Sequence, residues 1–359
     1  MKRAFTGSGM KSTVYRSFEK VTRAGISMPI AGAACAALAL FFFSCSSTPP
    51  ARRAAIAEDE RGISSRYSIV CIIHGDSGYL YHDADGNEHR ADEVTLAKMK
   101  RVAEHNPQAE VFIFHERHRK HLLFFIPRRD GTFYYYRNGR LVAEESYWRD
   151  QGRSRFDTET GLYDRFRAEA SPGAINIFLY FGHEIPEYGG LAYDDSYKKR
   201  TFTIDDLADG LKNMTRDSTK IDLVVLSTCF NGSPRVIAAL APYARYIIAS
   251  PENLHLSYFD LRPFERLDIG LPGTDVSGFA ESFARHAFDS LASELQTMVT
   301  VVVYDVDLVR SYVHSVEGIY GRALAAIEEE PQAPIEHCDC ADDPAYARPG
   351  IDDGVTVHY

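Results

Sequence analysis

The chain has 359 residues, of which 45% are hydrophobic and 25% are charged, a composition typical of a globular protein. Its formal net charge of −10 and its isoelectric point near 5.7 argue against general nucleic-acid binding, because such binding usually requires a basic surface. Its six cysteines show no spacing typical of a disulfide-rich fold.

The N-terminal region predicts export from the cytoplasm. An apolar stretch from Met28 to Phe43, about 16 residues long, follows basic residues and suits a signal sequence better than a transmembrane helix. Ser44 precedes Cys45, and a small residue directly before cysteine resembles the processing site of bacterial lipoproteins. Residues 1–45 are therefore predicted to be a lipoprotein signal with Cys45 as the lipidated residue. An uncleaved signal anchor is the alternative.

Three further segments follow the predicted signal. Residues 46–65 combine Pro, Ser and mixed charges without a buried-face period, which indicates a flexible tether. The peptide chain from 66 to 330 is predicted to fold as one domain, and 331–359 to be a C-terminal tail. A lipid on Cys45 would hold that domain at a membrane of the bacterial cell envelope, on its extracytoplasmic side. Ser46 is not an Asp-type retention signal, which favours the outer membrane in a bacterium that has one.

Strand and helix signals alternate along the predicted domain. This alternation favours an α/β fold with a mostly parallel central sheet that is covered by helices on both faces. Asp-Gly and Asn-Gly pairs separate short strands between residues 122 and 142, which indicates an inserted β-meander. In chain order, the main predicted elements are strand Tyr67–His74, helix Asp92–Glu104, strand Glu110–His115, helix Thr158–Ala168, strands Ile175–Phe181, Ile221–Leu226 and Ala244–Ala249, and helices Val276–Leu295 and Leu308–Ile327.

Two residues with the chemistry of a base and a nucleophile follow predicted core strands. His183 comes after one apolar strand, and Cys229 comes directly after the next, 46 residues further along the chain. The carboxyl ends of parallel strands meet at one edge of the sheet, where ligands bind, so these two side chains can lie together there. A thiol beside an imidazole is a nucleophilic cysteine site. A buried structural cysteine and an unrelated loop histidine are the alternative.

An ordered series of motifs surrounds these two residues. Its members are Gly182-His183, Gly189-Gly190, Asp194-Asp195, the helix that opens at Thr203, the run from Asp222 to Gly232, and the run from Tyr243 to Glu252. Through these motifs, residues 175–268 resemble the clostripain-like cysteine peptidases, which are relatives of caspases and gingipains. The resemblance implies a caspase-like three-layer α/β/α sandwich, a peptide or protein substrate and a Cys229/His183 dyad. It implies no cofactor, with calcium as a possible exception.

The same resemblance assigns roles to residues near the dyad. The backbone N–H groups of Cys229 and Glu184 would stabilise the oxyanion. The family has glycine where Glu184 stands, and a carboxylate there could raise the pKa of His183 or crowd the substrate. Asp260, together with Glu252, is similar to the acidic position that selects arginine or lysine, so cleavage after basic residues is expected. A carboxylate that caps a turn or a helix is the alternative for Asp260. Because of Glu184, a degenerate surface lipoprotein that binds a peptide or a glycan without cleaving it stays open.

Two other polar segments each allow two interpretations. Lys198, Lys199 and Arg200 are predicted to form an exposed basic run that resembles the self-cleavage region of the family, although a solvated charge run before a helix explains it equally well. A polar cluster at and after the end of the predicted strand Tyr67–His74 could suggest a metallohydrolase, but a turn rich in Asp, Gly and Asn needs no metal, and no metal site is predicted. Its members are His74, Asp76, His82, Asp83, Asp85, Asn87 and His89.

Overall fold

The computed structural model describes one unit within Ser64–Tyr359. The described residues are 65–76, 79–83, 85–122, 126–149, 156–167, 173–189, 193–215, 220–271, 273–294, 299–329 and 355–358. The predicted signal, Cys45 and nearly all of the predicted tether lie outside these residues. Within the described residues, no helix has both the length and the apolar character needed to cross a membrane.

Strands and helices alternate as the sequence predicts. The strands are β1 Tyr67–Gly75, β2 Leu80–His82, β3 Glu88–Arg90, β4 Ala109–Arg117, β5 His121–Leu122, β6 Ile126–Pro127, β7 Gly131–Arg137, β8 Arg140–Tyr147, β9 Ile175–Phe181, β10 Ile221–Ser227, β11 Ala244–Ala249, β12 Val301–Asp305 and β13 Val355–His358. The helices are α1 Ala91–His105, α2 Asp157–Phe166, α3 Ile204–Thr215, α4 Pro234–Leu240, α5 Val276–Glu294 and α6 Val306–Glu329.

The main sheet has nine strands in the order β13-β12-β11-β10-β9-β1-β4-β7-β8. The five central strands, from β11 to β4, are parallel, as expected for a sheet built by helical crossovers. The edges are antiparallel, with β12 and β13 on one side and β7 and β8 on the other. The parallel core of the prediction is therefore confirmed.

The predicted meander belongs to this sheet. Strands β7 and β8 continue the sheet from β4, and the Asn138-Gly139 pair forms the turn between them, with positive φ at both residues. The sequence also predicts a strand of the meander at Leu122–Ile126, but among the described residues β5 and β6 of this region pair with each other outside the main sheet. At the other edge, β13 shows that the segment predicted as a C-terminal tail contributes a strand to the sheet.

The sheet is covered by helices on both faces. Alternate side chains of β1 point to opposite sides, so Ile69, Cys71 and Ile73 pack in one apolar layer while Val70 and Ile72 pack in the other. Buried residues of α1 and α5 belong to the first layer, and those of α2, α3, α4 and α6 belong to the second. This arrangement confirms the predicted three-layer α/β/α sandwich and leaves the carboxyl ends of the central strands at one common edge.

Candidate active site

His183 and Cys229 follow two hydrogen-bonded, parallel strands. The last paired residues of β9 and β10 are Phe181 and Ser227. Each candidate residue lies two positions beyond its strand end, so both loops leave the same edge of the sheet from strands about 4.8 Å apart. The predicted juxtaposition of the two loops at this edge agrees with the strand register.

The loop after β10 turns sharply to present Cys229. Phe230 has φ 55°, a left-handed conformation that costs a side-chain-bearing residue about 1–2 kcal/mol. Its N–H donates to the Glu252 carbonyl at 3.0 Å, and the Gly232 N–H donates to the Ser250 carbonyl at 2.9 Å. A Cβ on Gly232 would lie 2.6 Å from the Pro251 nitrogen, so this close approach requires glycine.

The Cys229 side chain is half-buried and is held by the main chain of Leu254. The Leu254 N–H donates to Sγ at 3.2 Å, and the thiol donates to the Leu254 carbonyl at 3.4 Å. Burial raises the pKa of the Cys229 thiol; the Leu254 N–H opposes this shift, and the Glu184 carboxylate adds to it. The protonated thiol is therefore the resting form near neutral pH, and a base is needed to activate it.

His183 has the properties of such a base. The residue is exposed, but its ring packs edge-on against Tyr79 with 4.4 Å between ring centroids. Partial burial lowers the pKa of His183, the nearby Asp76 carboxylate raises it, and charged His74 lowers it. The net shift is downward, so the imidazole is neutral near pH 7 and can accept a proton.

Glu184 acts on the proposed nucleophile. The pKa of the Glu184 carboxyl is raised by burial and by Glu187. Its carboxylate in turn raises the pKa of the Cys229 thiol. The effect of Glu184 on the pKa of His183 and on the space for a substrate stays a prediction.

The proposed oxyanion donors are main-chain groups at the same sheet edge. Across the part of the chain that the structure describes, neither the Cys229 N–H nor the Glu184 N–H donates to a backbone carbonyl. Both amides thus keep a hydrogen for an oxygen outside the main-chain network. Donors of this kind are what a developing oxyanion requires.

Asn231 joins the two loops, and sequence reasoning missed it. Its buried side chain accepts from the Ile185 N–H at 2.9 Å and donates to the Ile185 carbonyl at 2.9 Å. The Thr228 hydroxyl donates to the same Asn231 oxygen at 2.7 Å. Only its position two residues after Cys229 could have drawn attention to it in the sequence.

A buried ionic network fills the neighbouring strand ends. His74, at the end of β1, donates to Glu116 at 2.7 Å and lies 3.3 Å from Asp76. Arg149 contacts Glu116 at 3.3 Å and Asp194 at 2.9 Å, and Arg200 contacts Asp194 at 3.2 Å. Burial alone would lower the pKa of His74, but its hydrogen bonds to Asp76 and Glu116 raise it to about 9. His74 is therefore charged at neutral pH.

This network accounts for part of the cluster that suggested a metallohydrolase. Ligand atoms of His74, Asp76 and Asp194 do lie within 4.8 Å of one another. However, the pKa of His74 is raised to about 9, so the ring carries a positive charge, and Asp194 already contacts two guanidinium groups; both features disfavour a metal cation there. A second group contains Asp92, Glu93 and His115. Each group includes a histidine, whereas calcium prefers oxygen ligands throughout, so neither donor set fits calcium.

The remaining members of the polar cluster predicted from the sequence, from His82 to His89, belong to a separate hairpin. Asp83, between β2 and β3, accepts from the Asn87 N–H at 2.8 Å and from the His89 ring at 2.7 Å. These contacts close the turn within the hairpin itself. Among the described residues, β2 and β3 form a two-stranded sheet of their own, and the Asp83 side chain contacts Asn87 and His89 rather than His74.

The two predicted substrate residues have different surroundings. Asp260 accepts from His286 at 2.8 Å and also from the Arg262 guanidinium. Burial raises the pKa of Asp260, but these two partners outweigh it and leave the pKa lowered. Glu252 is exposed, and its carbonyl, rather than its carboxylate, holds Phe230. A basic substrate side chain at Asp260 would therefore compete with two partners from the same chain.

The basic run between the two loops is only partly exposed. Lys198 and Lys199 are exposed, whereas Arg200 is 1% exposed because it belongs to the buried ionic network. The prediction of an exposed run is wrong for Arg200. The reason is tertiary, since Glu116 and Asp194 supply the charges that draw the guanidinium inside.

The segment that contains both loops is similar to a known protein family. Residues 180–338 match the model of the clostripain family. The resemblance seen in the motifs is thereby confirmed. Both His183 and Cys229 lie within the matched residues.

Several solved structures are similar to this chain. Iotapain, a secreted C11 cysteine protease from Bacteroides thetaiotaomicron, is 16% identical, with 72% of this chain and 71% of that chain covered and a TM-score of 0.49. A secreted C11 cysteine protease from the same organism, bound to an irreversible peptide inhibitor, is 12% identical, with coverages of 68% and 67% and a TM-score of 0.47. An inactive zymogen C11 protease from Parabacteroides distasonis is 16% identical, with coverages of 68% and 63% and a TM-score of 0.46. No curated protein matches the chain.

Proposed function

We propose that this chain is a cysteine endopeptidase that uses Cys229 as its nucleophile and His183 as its general base. His183 takes the thiol proton as the sulfur attacks the peptide carbonyl carbon. The imidazolium then gives this proton to the leaving amine, and the C–N bond breaks to leave a thioester. Water, deprotonated by His183, attacks the thioester, releases the carboxylic acid and restores the thiol.

The strand register is the observation that carries this proposal. Phe181 and Ser227 are direct partners on parallel strands, and the base and the nucleophile follow them at equal distance along the chain. The first step needs a proton donor and a proton acceptor. The protonated thiol is the donor, and the neutral imidazole is the acceptor. The N–H groups of Cys229 and Glu184 are proposed to bind the oxyanion.

Covalent labelling tests the nucleophile. We expect an arginyl chloromethyl ketone to modify Cys229 in the full-length protein, and peptide mapping should locate the label there. Cys71 is the internal control, because it is fully buried and its pKa is raised by that burial. Labelling that spares Cys229, together with no cleavage of a peptide library, would exclude the peptidase.

We further propose that Asp260 selects substrates with arginine or lysine before the scissile bond. Its side chain is 13% exposed and binds the Arg262 guanidinium, a contact that a substrate guanidinium is proposed to replace. Glu252 is proposed to add negative charge at the rim. Asp260→Asn should weaken the preference for basic residues in a peptide-library profile.

Asp222 provides a matched control for this substitution. Its side chain has a similar exposure, 14%, and also binds an arginine. However, Asp222 lies near the start of β10, whereas Cys229 follows the end of that strand. Asp222→Asn should leave the preference unchanged. An unchanged preference in Asp260→Asn as well would remove Asp260 from the specificity site.

A non-catalytic binding protein is the second candidate. Glu184, which replaces the family glycine, raises the pKa of the nucleophile and so disfavours its activation. In that case peptide binding would persist without turnover, and Cys229→Ala would not change the affinity. A single-turnover assay with a fluorogenic peptide separates the two candidates.

We also propose that Cys45 carries lipid and that the enzyme works outside the cytoplasm at a membrane surface. Two or more acyl chains give stable attachment, whereas a single chain is marginal. Cys45→Ser should move the protein from the membrane fraction to the soluble fraction and abolish incorporation of labelled palmitate. Retention of Cys45→Ser in the membrane fraction would favour an uncleaved signal anchor.

Self-cleavage is proposed after Lys198 or Lys199. These residues are exposed in a turn, whereas Arg200 is buried and cannot enter an active site without local unfolding. The intact mass of the wild-type protein should reveal a cut at this turn that is absent from Cys229→Ala. Uncut chains in both preparations would exclude self-processing.

A further inference from the structure

The strand register that aligns His183 with Cys229 continues beyond both strands through side chains. Phe181 and Ser227, the last backbone partners, are 46 residues apart. The same separation relates Ile185 to Asn231 and Glu187 to Ser233, and both pairs are hydrogen-bonded. Side chains of the Cys229 loop thus replace the backbone ladder where the strands end.

Asn231 forms the inner of these two connections and is fully buried. Its amide makes two hydrogen bonds with the Ile185 peptide, one as acceptor and one as donor, each 2.9 Å long. Two opposed hydrogen bonds restrict both the separation and the rotation of the two groups. The Thr228 hydroxyl, 2.7 Å from the same oxygen, fixes the Asn231 side chain relative to the residue just before Cys229.

The connection therefore reaches both sides of the proposed reaction centre. Thr228 adjoins Cys229, and Ile185 follows His183 and Glu184. A shift of the Ile185 backbone would move His183 relative to the sulfur. Displacements of about 1 Å at a reacting centre can cost about 100-fold in rate.

We infer that Asn231 is a positioning residue that sets the approach of His183 to Cys229. The inference rests on the proposed peptidase function of these two residues. Asn231 acts through His183, so its removal should matter only while His183 is present. This dependence separates positioning from a general contribution to stability.

Asn106 is a matched control from the same chain. It is also a buried asparagine whose side chain joins distant segments, since it donates to Val102 and Phe264 carbonyls and accepts from the Leu267 N–H. It lies at the end of α1, among residues that take no part in the proposed mechanism. Asn106→Ala should therefore lower the unfolding temperature without changing the chemistry of Cys229.

The test compares full-length Asn231→Ala, Asn106→Ala, His183→Ala and the double variant His183→Ala/Asn231→Ala. We expect Asn231→Ala to lower kcat for a basic peptide at least tenfold while KM changes less than threefold. Asn106→Ala should keep both constants. The double variant should lose no more activity than His183→Ala alone. A kcat in Asn231→Ala within twofold of that in Asn106→Ala would overturn the inference.

Alkylation of Cys229 by iodoacetamide is measured across pH 5–9 and located by peptide mapping. It distinguishes failure of the positioning inference from failure of the proposed peptidase function. Asn231→Ala and His183→Ala should slow alkylation at pH 7 alike, whether or not a peptide is cleaved. Asn231→Asp keeps the acceptor for the Ile185 N–H and regains a donor when protonated, so its rate relative to the wild type should rise as the pH falls. An unchanged profile in Asn231→Ala would overturn the inference even if the wild type cleaves no peptide.

Discussion

Two histidines end neighbouring strands of the same sheet and have opposite properties. His74, at the end of β1, is 1% exposed, and two carboxylates raise its pKa to about 9. His183, just after β9, is exposed, and its pKa is lowered because partial burial outweighs the pull of Asp76. The comparison shows that acidic partners, rather than residue type or position at the strand end, decide which histidine is charged.

The two regions also differ in what their burial requires. The His74 network holds its charges away from water, so each charge must be matched by an opposite one. Arg149 and Arg200 balance Glu116 and Asp194 in this way. The thiol and imidazole of the candidate site are both neutral at rest, so that site remains partly open to solvent without a similar framework.

The largest expected effect is a loss of activity when His183 is replaced, in contrast to a loss of stability when His74 is replaced. His183→Ala should lower kcat/KM about 100- to 10,000-fold, the usual contribution of a general acid–base residue. Its unfolding midpoint should stay close to that of the wild type, whereas His74→Gln should lower that midpoint. Peptide cleavage and urea unfolding of both variants provide the measurement. More than a tenth of wild-type activity in His183→Ala would contradict its role as the base.

Loss of a buried guanidinium should have the next largest effect. Arg149→Met leaves Glu116 and Asp194 short of positive charge in the interior, which should cost about 3–5 kcal/mol of unfolding free energy. Arg235→Met is the control, because Arg235 forms an exposed pair with Asp205 that is worth about 1 kcal/mol or less. Equal losses in the two variants, measured by urea unfolding, would refute the distinction between the regions.

The raised pKa of His74 predicts a loss of stability in mild base. The folded pKa is about 9 and the unfolded value is 6.5. The stabilisation is therefore complete below pH 6.5 and disappears as the pH rises through about 9, a change of about 3 kcal/mol. Urea unfolding at pH 6, 7.5 and 9.5 should show this decline, and His74→Gln should flatten it. A wild-type protein equally stable at pH 6 and 9.5 would show that His74 is not charged.

The smallest expected effect concerns Glu184. Because its carboxylate raises the pKa of Cys229, Glu184→Gln should lower that pKa and speed iodoacetamide alkylation of Cys229 at pH 7 by a factor of about two to five. Glu145→Gln, on the exposed strand β8, should have no effect. Slower alkylation in Glu184→Gln would reverse the electrostatic argument.

Local patterns account for the part of the fold and the site that was predictable. The apolar runs before His183 and Cys229 form β9 and β10 as expected, because periodicity and strand propensity act over a few residues. The Asn138-Gly139 turn likewise appears where its dipeptide predicts it. By contrast, β13 lies far along the chain from β12, and no local signal shows that it joins the sheet.

Local sequence patterns are enough to predict the alternation of strands and helices, the parallel core of the sheet, and the placement of His183 and Cys229 after two of its strands. The burial of Arg200, the charge of His74 and the link that Asn231 makes between the two loops follow from tertiary contacts instead. The two groups of features differ in the sequence separation of the residues that cause them. Strand and helix patterns are written in neighbouring residues, whereas burial, charge pairing and pKa depend on groups such as Glu116 and Ile185, which lie 42 and 46 residues from their partners.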